Sequence, residues 1–162
     1  MRTILAIDPG TATTGYAILK QKDKKIGLVD YGCLVTPAKT EASQRLLTIA
    51  EDLDQLISKY KPEELVVEQL FFSKNVKTAM AVGQARGVIL LSGAKHGLAI
   101  AEYSPLQVKQ AITGFGQAEK KQVQKMVQSI LGLEKMPTPD DAADAIAIGL
   151  CHLQTNPTLA GH

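Results

Sequence analysis

The spacing of apolar and polar positions along the chain predicts five strands and five helices. Apolar runs bounded by turn residues are typical of strands, and apolar positions that recur every three or four residues are typical of helices. The strands are expected at Thr3–Asp8, Gly15–Lys20, Ile26–Thr36, Leu65–Gln69 and Leu98–Tyr103. The helices are expected at Ser43–Tyr60, Val76–His96, Pro105–Thr113, Glu119–Leu131 and Asp140–Gln154.

The lengths of the connections indicate how the strands pair. Pro9–Thr14 and Gln21–Lys25 join the first three strands, and connections this short favour an antiparallel meander, because a parallel crossover needs about a dozen residues. The later strands alternate with helices. The pattern therefore predicts an α/β fold with a mixed five-stranded sheet flanked by helices. We expect one domain over residues 1–155 and a flexible C-terminal tail at 156–162.

Composition limits the class of protein. The 162 residues are 45% hydrophobic and 21% charged, as in an ordinary globular domain, and they include no apolar run of about 18 residues. Arg2 is the one basic residue before the first strand, which does not resemble a signal peptide. Cys33 and Cys151 are isolated, as expected for free thiols in a reducing compartment. We therefore expect a cytoplasmic protein with no membrane contact.

Four acidic side chains occupy positions that a protein interior normally excludes. Asp8 and Glu68 end apolar strands, and Asp141 and Asp144 lie in a helix built from small and apolar residues. Buried carboxylates are costly unless they are paired or bind metal. If these segments converge, they form an oxygen-rich pocket suited to hard divalent cations and to two-metal hydrolysis of a phosphodiester. The residues by themselves favour a nuclease.

Two of these acids also have a purely structural interpretation. Asp8 precedes a Pro-Gly pair and could start a turn. Asp141 lies three residues after Thr138, which could cap the helix with a proline at the first helical position, as in a capping box. Neither a turn nor a cap accounts for Glu68 or Asp144. The set of four is therefore more specific than any one member.

The distribution of charge is more informative than the net charge of +2. Without the four candidate carboxylates, 12 of the 16 acidic residues remain against 18 basic ones, a charge of +6. Many of the bases lie after residue 73, at Lys74, Lys77, Arg86, Lys95, Lys109, Lys120, Lys121 and Lys125. A basic surface around an acidic pocket suits a polyanionic substrate. For any single lysine, a solvated mixed surface explains its position equally well.

Six short motifs occur in order between about Ile4 and Leu153. They are Ala6–Thr11 with Thr14–Tyr16, Val67–Phe71, Gly83–Gly87, Val108–Gln110, Ala118–Lys120 and Asp141–Ala145. The ordered set resembles the RuvC family, the Holliday-junction resolvases of bacterial recombination and DNA repair. This resemblance implies an RNase H-like fold, a homodimer, magnesium dependence and paired nicks in four-way junction DNA. It also implies cooperation with the RuvA–RuvB branch-migration complex.

The resemblance also implies roles for individual residues. The four carboxylates match the family's metal ligands, Lys109 and Lys120 match basic residues at its active site and DNA surface, and Phe71 matches an aromatic that engages bases near the junction centre. The expected catalytic residues are Asp8, Glu68, Asp141, Asp144 and Lys120. The expected DNA-binding residues are Phe71, Phe72, Lys74, Lys77, Arg86, Lys109 and Lys121. Asp140 is interpreted as a helix-start residue and not as a ligand.

The expected mechanism uses two Mg²⁺ ions, for which Mn²⁺ substitutes. At a spacing of about 3.5–4 Å, one ion activates a water for in-line attack and the other stabilises the leaving 3′ oxygen, which leaves 5′-phosphate and 3′-hydroxyl ends. Lys120 is expected to neutralise developing charge or to orient the nucleophile. The apolar helix 76–96 contains Gly83, Gly87 and Gly93 and is the predicted homodimer interface. An internal core helix is the alternative interpretation.

Two other classes of function share some of these features. An actin-like ATPase also carries an Asp-x-Gly-Thr phosphate loop, but it needs a duplicated domain and a second glycine-rich loop, which 162 residues do not provide. A junction-binding module without catalysis would have no need of all four carboxylates.

Overall fold

The strands and helices follow one another in the predicted order. The structure, a computed structural model, describes residues 1–10, 12–69 and 75–156. Its strands are β1 (Arg2–Asp8), β2 (Thr13–Lys22), β3 (Lys25–Val35), β4 (Glu64–Glu68) and β5 (Ala99–Tyr103). Its helices are α1 (Ala42–Tyr60), α2 (Val76–Lys95), α3 (Pro105–Thr113), α4 (Lys120–Leu131) and α5 (Asp140–Thr155). Each predicted boundary lies within two residues of the observed one.

The five strands form one mixed sheet in the order β3-β2-β1-β4-β5. The first three strands pair antiparallel, as their short connections predict, whereas β1–β4 and β4–β5 are parallel. In the register of the central parallel pair, Ile7 lies opposite Val67. The residue that follows is Asp8 in β1 and Glu68 in β4. Both acids therefore lie at the same end of the sheet, where these two parallel strands finish.

Helices cover both faces of the sheet. Successive residues of a strand point to opposite faces, so each face carries apolar side chains that the helices bury. Ile4, Ala6 and Leu19 pack against α5, together with parts of α3 and α4. Leu5, Ile7 and Ile18 face the other way and pack against α1 and α2. The fold class is confirmed. Among the described residues, no helix is long and apolar enough to cross a bilayer.

Two helical glycines bring their helices onto the sheet. A Cβ atom on Gly149 of α5 would lie 2.5 Å from Leu19 Cδ1 and 3.1 Å from Ala6 Cβ. A Cβ atom on Gly93 of α2 would lie 2.5 Å from Leu65 Cδ2. The expectation that Gly93 faces a partner helix is therefore wrong, because it faces the sheet of its own chain.

The start of α5 also differs from its expected form. Pro139 has an extended backbone (φ −70°, ψ 174°) and precedes the first helical residue, Asp140. A capping box with Thr138 requires Pro139 to be helical, so that interpretation of Asp141 is wrong. The predicted start of α3 at Pro105 is confirmed, and Ser104 caps the helix, since its hydroxyl accepts the Gln107 N–H at 3.1 Å. Of the predicted tail, residues 157–162 lie outside the described chain.

A polar network joins the first residues of β1 and β4 to the last turns of α5. Arg2 donates two hydrogen bonds to the Glu64 carboxylate, and the buried His152 places Nε2 2.7 Å from Glu64 Oε2. The Tyr103 hydroxyl lies 2.9 Å from His152 Nδ1. The hydrogen bond from Arg2, reinforced by the one with His152, lowers the pKa of Glu64 to about 2.

This network predicts a particular loss of stability in acid. The pKa of Glu64 is below its ordinary value of 4.5, so the carboxylate stabilises the fold above about pH 4.5 and loses that contribution as the pH falls toward 2. Glu64→Gln should lower the free energy of unfolding by about 1–3 kcal/mol at pH 7. It should also flatten the pH dependence between pH 4.5 and 2. Urea unfolding over a pH series measures both effects, with the exposed neighbour Glu63→Gln as control. Equal loss in the two variants would contradict the prediction.

Candidate active site

The first turn of α5 lies directly against β2, the strand that pairs antiparallel with β1. Gly15 of β2 is the register partner of Asp8. A Cβ atom on Gly15 would lie 1.9 Å from the carbonyl oxygen of Asp141. Only glycine allows the helix to approach this closely, and the approach brings Asp141 beside the end of β1. The three acid-bearing segments, β1, β4 and α5, therefore meet at one end of the sheet.

The four predicted carboxylates converge at this end of the sheet. Asp8, Asp141 and Asp144 each offer an oxygen, and these atoms lie within 4.8 Å of one another. Asp141 and Asp144 are three residues apart on α5 and share its face. Glu68 completes the set through a side-chain hydrogen bond with Asp8. The spatial convergence expected from the sequence is therefore present, with Glu68 on the β4 side of the other three.

Burial raises the pKa values of three of the four acids. Burial raises the pKa of Asp8 to about 9, with further contributions from its hydrogen bond to Glu68 and from the neighbouring carboxylates. Burial also raises the pKa of Glu68 and of Asp144. Without a cation, the pocket therefore retains a proton near neutral pH, shared between Asp8 and Glu68. An oxygen-only donor set with excess negative charge fits hard divalent cations, which would replace that proton.

Two lysines stand beside the acids. Lys120 Nζ lies 3.3 Å from Asp144 Oδ2 and 3.4 Å from Asp140 Oδ2. Lys109 lowers the pKa of Glu68 by its charge, against the larger effect of burial. Both lysines line a cavity of about 230 Å³ between α3, α4 and α5, which is also lined by Glu68, Asp144 and several apolar side chains. The site thus combines an anionic edge with a cationic one.

Asp140 differs from the other acids at this end of α5. It is the first residue of the helix, and its side chain is 69% exposed. Its contacts are with Lys120 and with Gln124, whose amide donates to it at 3.3 Å. These contacts agree with its interpretation as a helix-start residue beside the ligand set.

The predicted DNA-binding residues have differing environments. Lys77 and Lys121 are exposed in the first turns of α2 and α4. Arg86 forms an ion pair with Glu102 of β5 at 2.5 Å, and its side chain is 19% exposed, so its guanidinium has a partner within the chain. Lys109 lines the cavity beside the acids, and Phe71, Phe72 and Lys74 lie outside the described residues.

Cys33 lies near the acids, although sequence reasoning did not assign it to the site. Its register partner is Gly15, and it receives a backbone hydrogen bond from Ala142. Burial and the charges of Asp141 and Asp8 raise the pKa of its thiol. No local motif marks this cysteine, because its position follows from the register of β2 and β3.

The fold and the site together define a nuclease of the RNase H-like class, with carboxylates at two strand ends and on the last helix. The profile of one family, described as crossover junction endodeoxyribonuclease RuvC, matches residues 4–152. The chain belongs to the RuvC family. The resemblance noted from the sequence is thereby confirmed.

Individual relatives agree with this assignment. The chain is 52% identical over 152 residues to the crossover junction endodeoxyribonuclease RuvC of Syntrophomonas wolfei, covering 94% of this chain and 88% of the relative. It is 54% identical over 149 residues to that of Halothermothrix orenii, covering 92% and 90%. The structure of Thermus thermophilus RuvC in complex with Holliday junction substrate superposes with a TM-score of 0.90 at 33% identity, covering 96% and 94%. The yeast mitochondrial Holliday junction resolvase Ydc2 shares the fold, with a TM-score of 0.71 at 13% identity.

The contact between Gly15 and Asp141 leads to a stability prediction. Gly15→Ala should destabilise the fold by about 2 kcal/mol or more, because the new methyl group meets backbone that cannot move aside without shifting α5. Gly27→Ala is the matched control, since it lies on β3 and no described atom is within 4 Å of its Cβ position. Urea unfolding compares the two variants. Similar free energies of unfolding would show that α5 does not depend on this contact.

The shared proton predicts that metal binding depends on pH. Because the pKa of Asp8 is raised to about 9, binding of a divalent cation at pH 7 should release close to one proton. The apparent affinity should rise as the pH approaches 9. Calorimetric titration with Mn²⁺ in buffers of different ionisation enthalpy measures the proton release, and Asp140→Asn should leave it unchanged. Binding without proton release at pH 7 would contradict the protonated state inferred for Asp8.

Proposed function

We propose that this chain is a structure-specific endonuclease that resolves four-way (Holliday) DNA junctions by paired nicks in homologous recombination and repair. The observation that carries the proposal is the convergence of Asp8, Glu68, Asp141 and Asp144 on an RNase H-like sheet in a member of the RuvC family. The products are 5′-phosphate and 3′-hydroxyl ends. The actin-like ATPase alternative has no support from the fold or the relatives.

The four carboxylates are the residues that would hold two Mg²⁺ ions, with Mn²⁺ as a substitute. When bound, such ions supply an acidified water and neutralise charge at the scissile phosphate. The chain itself provides the recess, the deprotonated oxygens and the neighbouring cations. Lys120, already within 3.3 Å of Asp144, is placed to offset negative charge on an entering phosphate. Lys109 offers a second ammonium on the Glu68 side of the same cavity.

The remaining DNA contacts are proposed by position. Phe71 and Phe72 follow the strand that carries Glu68, where an aromatic ring can stack on a base exposed at the junction centre. The basic residues are assigned to the phosphate backbone, which supplies most of the affinity and makes it salt-dependent. These residues are Lys74, Lys77, Lys109, Lys121 and Arg86. Arg86 would have to exchange its partner Glu102 for a phosphate.

A homodimer through α2 would present two sites to two strands. Along this helix Val76, Met80 and Leu91 are 70%, 64% and 61% exposed, and they lie on one face together with Gly87. No described atom lies within 4 Å of the Cβ position of Gly87, so a partner helix can approach there. Cooperation with the RuvA–RuvB branch-migration complex and a cytoplasmic location complete the proposal, and both rest on family membership.

The proposed function is tested with a synthetic four-way junction and a matched linear duplex. We expect Mg²⁺ or Mn²⁺ to support symmetric nicks in the junction and little cutting of the duplex. Ca²⁺ should support binding with little or no cleavage, because its looser coordination at about 2.3–2.6 Å misplaces the attacking water. Gel analysis of end-labelled strands measures both. Full activity in Ca²⁺ or in excess chelator would exclude a metal-dependent site.

Single substitutions test the carboxylates individually. Glu68→Gln and Asp144→Asn preserve shape but remove a negative charge, so cleavage should fall by orders of magnitude while junction affinity holds or improves. Thermal stability without metal should also hold or rise, because like charges no longer crowd together. Asp140→Asn is the matched control and should stay active. If Glu68→Gln is folded and cleaves normally, Glu68 is not a ligand; if it is inactive only because it unfolds, its role is structural.

A further inference from the structure

The loop between α3 and α4 exposes an apolar surface that the proposed chemistry does not use. Phe115, at its centre, is 60% exposed, and Leu106 and Met126 beside it are 56% and 41% exposed. A cavity of about 350 Å³ lies between the loop and α4, lined by Phe115, Met126 and Lys125 among others. An exposed group of large apolar side chains is typical of a surface that binds a partner.

The backbone that carries Phe115 is fixed by hydrogen bonds. Thr113 Oγ1 accepts the Phe115 N–H at 3.1 Å, and the Ala118 N–H donates to the Phe115 carbonyl at 3.1 Å. Gly114 ends α3 with φ +76°, a conformation that glycine adopts without strain. The ring is thus exposed on an ordered loop and not on a frayed one.

The charges around the loop favour a polyanion as the partner. Residues 114–126 contain Lys120, Lys121 and Lys125 against one acid, Glu119. Lys121 and Lys125 are exposed, and Lys120 reaches the active-site acids. A surface that combines ammonium groups with an exposed aromatic ring matches duplex DNA, which offers phosphates next to apolar sugar edges and base steps.

The loop is also close enough to the catalytic acids to meet the same DNA. Lys120 follows Phe115 by five positions, so their Cα atoms are at most about 18 Å apart. Duplex DNA rises about 3.4 Å per base pair, which makes this reach equal to about five base pairs. A duplex arm held at the acids and running toward the α3–α4 loop would therefore be able to reach Phe115.

We propose that Phe115, with Lys121 and Lys125, forms a second DNA contact that holds the junction arm leading away from the cleavage site. The ring makes an apolar contact in the minor groove of that arm, and the lysines neutralise the adjoining phosphates. Phe115 is a positioning residue, because it fixes the strand relative to the acids without contacting the reacting atoms. This inference rests on the proposed junction cleavage.

The test compares Phe115→Ala, Phe115→Tyr and the control Leu47→Ala, which removes a side chain of α1 that is 49% exposed. Junction affinity in Ca²⁺ and hydroxyl-radical footprints of the sugars are measured for each. Phe115→Ala should bind about 5-fold or more weakly. It should also lose protection at sugars within about five base pairs of the cleavage position, while protection at the cleavage position itself stays. Phe115→Tyr, which keeps the ring, should restore both, and Leu47→Ala should match the unaltered protein.

Lys125→Ala supplies an independent measurement. If it removes a phosphate contact, the slope of log affinity against log salt should fall by about one. If Phe115→Ala keeps the affinity and the footprint of the unaltered protein, the inference is overturned. That result is expected if this surface binds another protein instead of DNA. Weakened binding with an unchanged footprint would also overturn it. An unaltered protein that neither binds nor cuts junctions would instead contradict the proposed function.

Discussion

The mutual repulsion of four carboxylates in a partly buried pocket is the constraint on which the structure depends. Removing carboxylates from water costs free energy, and Asp8 offsets part of that cost by retaining a proton. The fold must therefore hold the acids together with apolar packing elsewhere. It does so through α5, whose residues from Ala142 to Leu153 are buried apart from Asp144. The same helix supplies two of the acids and much of the core.

The two ends of the sheet have opposite electrostatic character. At one end burial raises the pKa values of Asp8, Glu68 and Asp144, so the pocket without metal is destabilising. At the other end Arg2 and His152 lower the pKa of Glu64 and make a stabilising network. Helix α5 runs from the first end to the second, with Asp141 near its start and His152 near its end. The favourable network thus secures the far end of the helix that carries the unfavourable cluster.

Much of the fold was predictable from local pattern, because strand and helix periods are strong signals in this chain. The acids Glu68 and Asp144 were identifiable because neither a turn nor a cap accounts for a charge at their positions. What the sequence could not supply was pairing register and close approach. The contact of Gly15 with Asp141, and the nearby Cys33, follow from how strands align. The ion pair of Arg86 with Glu102 depends equally on tertiary packing.

The error at the start of α5 has a similar origin. A threonine, a proline and a later acid make a familiar local signal, yet the backbone of Pro139 is extended and the helix begins one residue later than a capping box requires. Local propensity was overridden by the need to bring α5 against β2. Close packing on the sheet also explains why Gly149 of α5 and Gly93 of α2 serve contacts inside the chain.

The burial of α5 has a consequence for how cleavage is achieved. Backbone amides in a helix this buried are expected to exchange with solvent only through large-scale unfolding. Asp141 and Asp144 are therefore carried by one of the least deformable parts of the protein. Because this helix does not deform, the DNA has to change shape for its scissile phosphate to reach the acids. Linear duplex resists bending, whereas strands at a branch point have already lost part of their stacking and can be moved into the pocket at lower energy. Rigidity of the helix would then act as a filter for DNA shape.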